Sequence, residues 1–178
     1  MDSLERLTKK FILVNMDDAE ISTDDKHIIG THALATCTGL LLYCRERKVA
    51  IVAHIGTDID KTINKILDLL ENNNIKFTNI EYRVIQGYYG RDENFINTII
   101  YKLKFGNVYR MLSNHFTPYG STKRQRNDIE IDYNTLSKQF AFDALSGVFV
   151  TDKVLFGTYY YIVNPQNDTL DKNEKKRI

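Results

Sequence analysis

The chain has 178 residues, 43% hydrophobic and 11% aromatic, with 24 basic and 23 acidic residues that leave a net charge of +1. That length suits one domain with a real core, and the composition excludes intrinsic disorder. The balanced charge gives no argument for nucleic-acid or membrane binding, and no apolar run reaches the length of a membrane span.

Leu4 to Lys10 reads as a short helical lead-in, and the N-terminal segment lacks the apolar stretch of a secretory signal, so the expected location is the cytosol. Delivery outside the cell by a specialised secretion route would leave no such mark. Phe11 to Val14 suits a strand, whereas the acidic, polar run from Asp17 to Lys26 suits a loop. Two apolar, β-prone runs, Thr31–Tyr43 and Val49–Ile55, then flank a short charged connection, the pattern of an antiparallel hairpin. Gly56-Thr57-Asp58 supplies a turn and a helix cap. Ile59, Ile63, Ile66, Leu67 and Leu70 follow at helical spacing, and Asn72-Asn-Asn ends that helix. Ile80–Ile85 alternates as a strand and stops at Gly87-Tyr-Tyr-Gly90. A second amphipathic helix carries Phe95, Ile96, Ile99, Ile100 and Leu103 and closes at Gly106.

The rest is less periodic. Residues 114–127 hold Pro118, Gly120 and the basic cluster Lys123, Arg124 and Arg126, which reads as a solvated surface loop. Ile129–Tyr133 and Val154–Val163 suit strands, and Leu136–Phe149 fits either strand or helix. The expected class is α+β, with a central β-sandwich or mixed sheets flanked by helices. One domain is expected over residues 1–164, followed by a polar, frayed tail over 165–178.

Cys37 and His54 lie seventeen residues apart, at opposite ends of the expected hairpin. An antiparallel pair zipped along its length sets the entry of one strand beside the exit of the other. A thiol then lies near an imidazole, the arrangement that activates a cysteine nucleophile. Such a pair needs a third group to fix the imidazole tautomer, and the hydroxyl of Thr31, six residues before Cys37, is a candidate. Cys44, the other cysteine, sits at an odd offset from Cys37, so the two thiols point to opposite faces of an extended strand and neither bridge nor zinc site is expected. A laccase-domain type of Cys–His site wants additional histidines that this pattern does not supply. His32 precedes the strand and either lines the site or sits on the surface, the surface reading being favoured, and His27 and His115 have no evident partner.

The set Thr31, Cys37 and His54 resembles the Thr–Cys–His triad of the CheD-type chemoreceptor glutamine deamidases, which share both spacings. Ala35-Thr36-Cys37 and His54-Ile-Gly56-Thr57-Asp58 are similar to a pattern in protein N-terminal asparagine amidohydrolases. The likeness covers roughly residues 30 to 90, and the chain departs from it in having Ala35-Thr36 before the cysteine and Gln86 before Gly87. The resemblance implies a β-sandwich flanked by helices and hydrolysis of a side-chain amide on a protein or peptide, with no cofactor. Cys37 would be the nucleophile, His54 the base and Thr31 its holder. Thr36, Gly87 and Tyr88 are candidate substrate-binding residues beside them. Thr31 favours glutamine as substrate, whereas the His54–Asp58 turn favours asparagine, and the choice stays open. Two other readings keep the same residues: transglutamination or thiol proteolysis through the same acyl-enzyme, and a non-catalytic interaction domain with an inert thiol.

Overall fold

The computed structural model describes residues 10–76, 80–90 and 136–150, the backbone of strands 116–119 and 130–132, and residues 94, 95, 98, 99 and 102. Ten strands, β1 (Phe11–Leu13), β2 (Asp18–Ile21), β3 (Ile28–Leu34), β4 (Thr38–Cys44), β5 (Val49–Ile55), β6 (Ile80–Gln86), β7 (Phe116–Tyr119), β8 (Glu130–Asp132), β9 (Ser137–Asp143) and β10 (Val148–Val150), are described with helix α1 (Ile59–Asn72). The strands form two five-stranded sheets. The first runs β1-β3-β9-β10 with β8 also on β9, and the second runs β2-β5-β4-β6-β7. The expected α+β class with packed sheets and a flanking helix is what the chain adopts.

Strand alternation sorts the side chains into layers. From β4 and β5, Leu41, Tyr43, Ala50 and Val52 pack against Ile29, Phe140 and Phe142 of the first sheet. Leu40, Leu42, Cys44, Ile51, Ala53 and Ile55 face the other way, onto Ile63, Ile66 and Leu70 of α1. β4 is covered on both faces, which is why it reads as continuous apolar sequence. α1 starts where expected, with the Asp58 carboxylate accepting from Lys61 N at 3.0 Å, and stops at Asn73. Lys65 on α1 pairs with Asp18 of β2 and lies 3.5 Å from Glu20. Asn94, Phe95, Thr98, Ile99 and Lys102 carry helical backbone, and Phe95 and Ile99 join the α1-facing core.

Three expectations are corrected. The run Thr31–Tyr43 is not one strand: β3 belongs to the first sheet and β4 to the second, with a bend at residues 35–37 carrying the chain across. Ala33, at φ 59°, and a bulge between Thr31 and Leu34 break β3's alternation, so Leu34 returns to the inter-sheet layer that Thr31 faces. The hairpin is therefore β4–β5, joined by Arg45–Lys48. The acidic run from Asp17 to Lys26 is not all loop. β2 pairs antiparallel with β5, and buried Ala19 and half-buried Ile21 give it an apolar face against α1. Residues 114–127 likewise contain β7, an edge strand parallel to β6, a position where Pro118 is tolerated. The basic cluster Lys123, Arg124 and Arg126, the strand expected over Val154–Val163 and the tail over 165–178 lie outside the described residues. No described helix is long and apolar enough to cross a membrane.

Candidate functional site

Four chain segments meet at one end of the second sheet. They are the turn before β2, the turn after β5, the bend before β4 and the turn after β6. Register fixes this meeting: Asp18 and Gly39 both oppose His54, and Thr38 opposes both Ile55 and Gln86. Cys37 lies one step before β4, on the face that carries Gly39 and Leu41, and belongs to the inter-sheet cluster. It is 8% exposed. His54 sits on the same face of β5 as Val52 and is 4% exposed. Cys37 is thus diagonal to His54, a spacing that side chains can span. Gly39 opposite His54 leaves the intervening position without a side chain. A Cβ there would meet Phe140 Cε1 at 2.8 Å. Cys44, as expected, faces the other layer, among the α1-facing residues.

Thr31 comes from the first sheet and reaches His54 across the interface. Its hydroxyl donates to the Val14 carbonyl at 2.8 Å and lies 2.8 Å from His54 Nδ1. A hydroxyl has one proton, and a carbonyl can only accept. With that proton committed to Val14, Thr31 Oγ1 must accept from Nδ1–H. The imidazole is thereby held as the Nδ1–H tautomer, with a lone pair on Nε2. Nε2 is buried and makes no hydrogen bond. Burial lowers the pKa of His54 to about 4, the neighbouring His32 acts in the same direction, and Asp17 opposes both. His54 is therefore a neutral base at neutral pH.

The backbone around Cys37 is held by the turn after β6. Gly87 N donates to Cys37 O at 2.9 Å, Tyr88 N to Leu34 O at 2.8 Å and Tyr89 N to Ala35 O at 3.0 Å. Gly87 fits because it lacks a side chain: a Cβ would meet Ala35 O at 2.4 Å and Cys37 O at 2.5 Å. Thr36 is exposed beside Cys37, and the Tyr88 and Tyr89 rings stand exposed at the rim. The structure thus brings Thr31 and His54 into contact, places Cys37 in their layer, and sets Thr36, Gly87 and Tyr88 around it.

Sequence reasoning missed Val14, whose contribution is a backbone carbonyl with no signature in residue type. It also missed Asp17, hidden in an acidic run, and favoured a surface position over a site-lining one for His32. His32 is half-buried in β3, near enough to His54 to influence its charge, and burial lowers its own pKa. Among the described residues, no three His, Cys, Asp or Glu side chains converge to hold a metal ion.

No protein-family model matches the chain, and no curated protein matches it in sequence. Among solved structures, it is similar to the crystal structure of the Bacillus licheniformis hypothetical protein YfiH, at 10% identity and a TM-score of 0.31, over 68% of this chain and 40% of that one.

Proposed function

We propose that the chain is a cysteine-dependent amidohydrolase that converts a glutamine or asparagine side-chain amide of a protein or peptide to the acid. The observation that carries this reading is the Val14–Thr31–His54 relay, which leaves Nε2 as a proton acceptor in the layer that holds Cys37. The resemblance of Thr31, Cys37 and His54 to deamidase triads supports it from the sequence side.

In this mechanism Cys37 Sγ attacks the amide carbon as its proton passes to His54 Nε2. The C–N bond of the tetrahedral intermediate then breaks, and the Nε2 proton leaves with ammonia, giving a thioester on Cys37. A water molecule delivers its proton to Nε2 and its oxygen to the thioester carbon. The C–S bond breaks, the sulfur recovers that proton, and the substrate departs as a carboxylic acid. Throughout, Thr31 keeps Nδ1 protonated and Nε2 turned to the reaction.

Burial of Cys37 favours a second reading, an interaction domain with an inert thiol. One experiment separates the two: the pH dependence of iodoacetamide alkylation at Cys37, mapped by peptide mass with Cys44 as internal control. An amidohydrolase has Cys37 outpacing Cys44 below the ordinary thiol pKa of about 8.5, and the advantage vanishes in His54→Ala. Equal, His54-independent behaviour of both thiols would establish the inert domain instead. Ammonia release from glutamine- and asparagine-containing peptides then decides the substrate.

A further inference from the structure

Asp17 holds His54 and the turn that follows it. Its backbone N–H donates to His54 O at 2.7 Å. Its carboxylate gathers the turn that follows: Oδ1 accepts from Gly56 N at 2.9 Å and Asp58 N at 3.0 Å, and Oδ2 accepts from the Thr57 hydroxyl at 2.9 Å. Asp17 itself is held at φ 56°, a left-handed conformation that Asp and Asn tolerate better than most residues. The clasp joins the end of β5 to the N-cap of α1, whose own side chain caps Lys61 N. The three carboxylate contacts all fall on residues 56–58, directly after the base.

We propose that Asp17 is the positioning residue of the site: it fixes the backbone on which His54 turns. This rests on the amidohydrolase reading. Val14 orients the ring through Thr31, and Asp17 orients the chain that carries the ring. One short segment, residues 14–17, therefore sets both the tautomer and the location of His54. The carboxylate keeps its charge over the working range. Burial raises its pKa, but the donors on Asp58, Gly56 and Thr57 outweigh burial and hold it below the usual carboxylate value.

The test is Asp17→Asn, which retains the shape and removes the charge, read by the alkylation profile of Cys37 against Cys44 together with thermal melting. Misplacing a base by about an ångström costs on the order of a hundred-fold in rate, so the His54-dependent advantage of Cys37 should fall by roughly ten- to a hundred-fold and its pH profile should move upward. Ile66→Val loosens the helix layer far from this end of the sheet and controls for destabilisation. It should lower the melting temperature and leave the profile in place. If Asp17→Asn does not fold, Thr57→Ala removes only the Oδ2 contact and should shift the profile in the same direction by less. A folded Asp17→Asn variant, or Thr57→Ala, with the wild-type profile overturns the positioning role. A wild-type profile that is already independent of His54 overturns the amidohydrolase reading instead.

Discussion

Replacing Thr31 by valine tests the core of the site, because the two side chains have nearly the same shape and differ in one hydroxyl. Thr31 is fully buried and that hydroxyl serves two partners, the Val14 carbonyl and His54 Nδ1–H. Valine strands both in an apolar layer. An unsatisfied buried group costs about 1–3 kcal/mol, so the pair should destabilise the fold by roughly 2–6 kcal/mol. For a chain of this size each kcal/mol lowers the melting temperature by about 2–4 °C. Urea denaturation followed by circular dichroism measures the loss. Thr31→Ser keeps the hydroxyl and removes one methyl group, at about 1 kcal/mol. The chemistry should separate the variants further: serine retains the Cys37 alkylation advantage, and valine abolishes it because Nδ1–H is no longer enforced. If valine costs less than serine, or leaves Cys37 as reactive as in wild type, the relay does not hold the histidine and the reasoning fails.

Three further outcomes follow from the same geometry. His54 has a folded pKa of about 4 against an ordinary 6.5, so the unfolded chain binds the extra proton first; stability should be complete above pH 6.5 and fall by about 1.4 kcal/mol per pH unit down to about pH 4. Urea midpoints at pH 7, 6 and 5 check this, and His54→Gln should flatten most of the dependence, with His32 contributing a remainder of the same sign. Gly87→Ala should both destabilise the protein and slow Cys37 alkylation, since its Cβ can be housed only by moving the carbonyls of Ala35 and Cys37; unchanged alkylation kinetics would mean that the turn does not shape the nucleophile. Ile66→Ala, fully buried under α1, should cost about 2–5 kcal/mol in urea denaturation yet leave the relative reactivity of Cys37 and Cys44 unchanged.

Where local chemistry and periodicity agreed, the sequence was an adequate guide. α1 was legible because cap, apolar face and asparagine stop coincide within residues 58–74. The β4–β5 hairpin was legible because both strands are apolar throughout. The same apolarity concealed the step from β3 to β4. That break consists of Ala33 at positive φ and a bend through Ala35-Thr36-Cys37, and none of these residues is a usual turn former. β2 was hidden because two of its four residues, Asp18 and Glu20, are half-buried acids that pair with Lys65 of α1. Thr31 could be proposed from spacing. Its second bond, to Val14, could not, because a main-chain acceptor looks the same under every residue name.

Tyr43, at the far end of β4 from Cys37, donates its hydroxyl to Ala144 O at 2.8 Å, just past β9 of the opposite sheet. Between that bond and the Thr31–His54 bond lies a contact made of Leu41, Val52, Ile29, Phe140 and Phe142, apolar surfaces that attract without prescribing an orientation. A single dowel between two boards leaves them free to swivel, whereas two dowels set apart lock the angle. Thr31–His54, with Tyr88 N–Leu34 O near it, is the dowel at one end and Tyr43–Ala144 the dowel at the other, so the bond that orients the His54 ring also helps set the alignment of the two sheets. Tyr43→Phe, remote from the thiol, would then reach the site as a loosened angle.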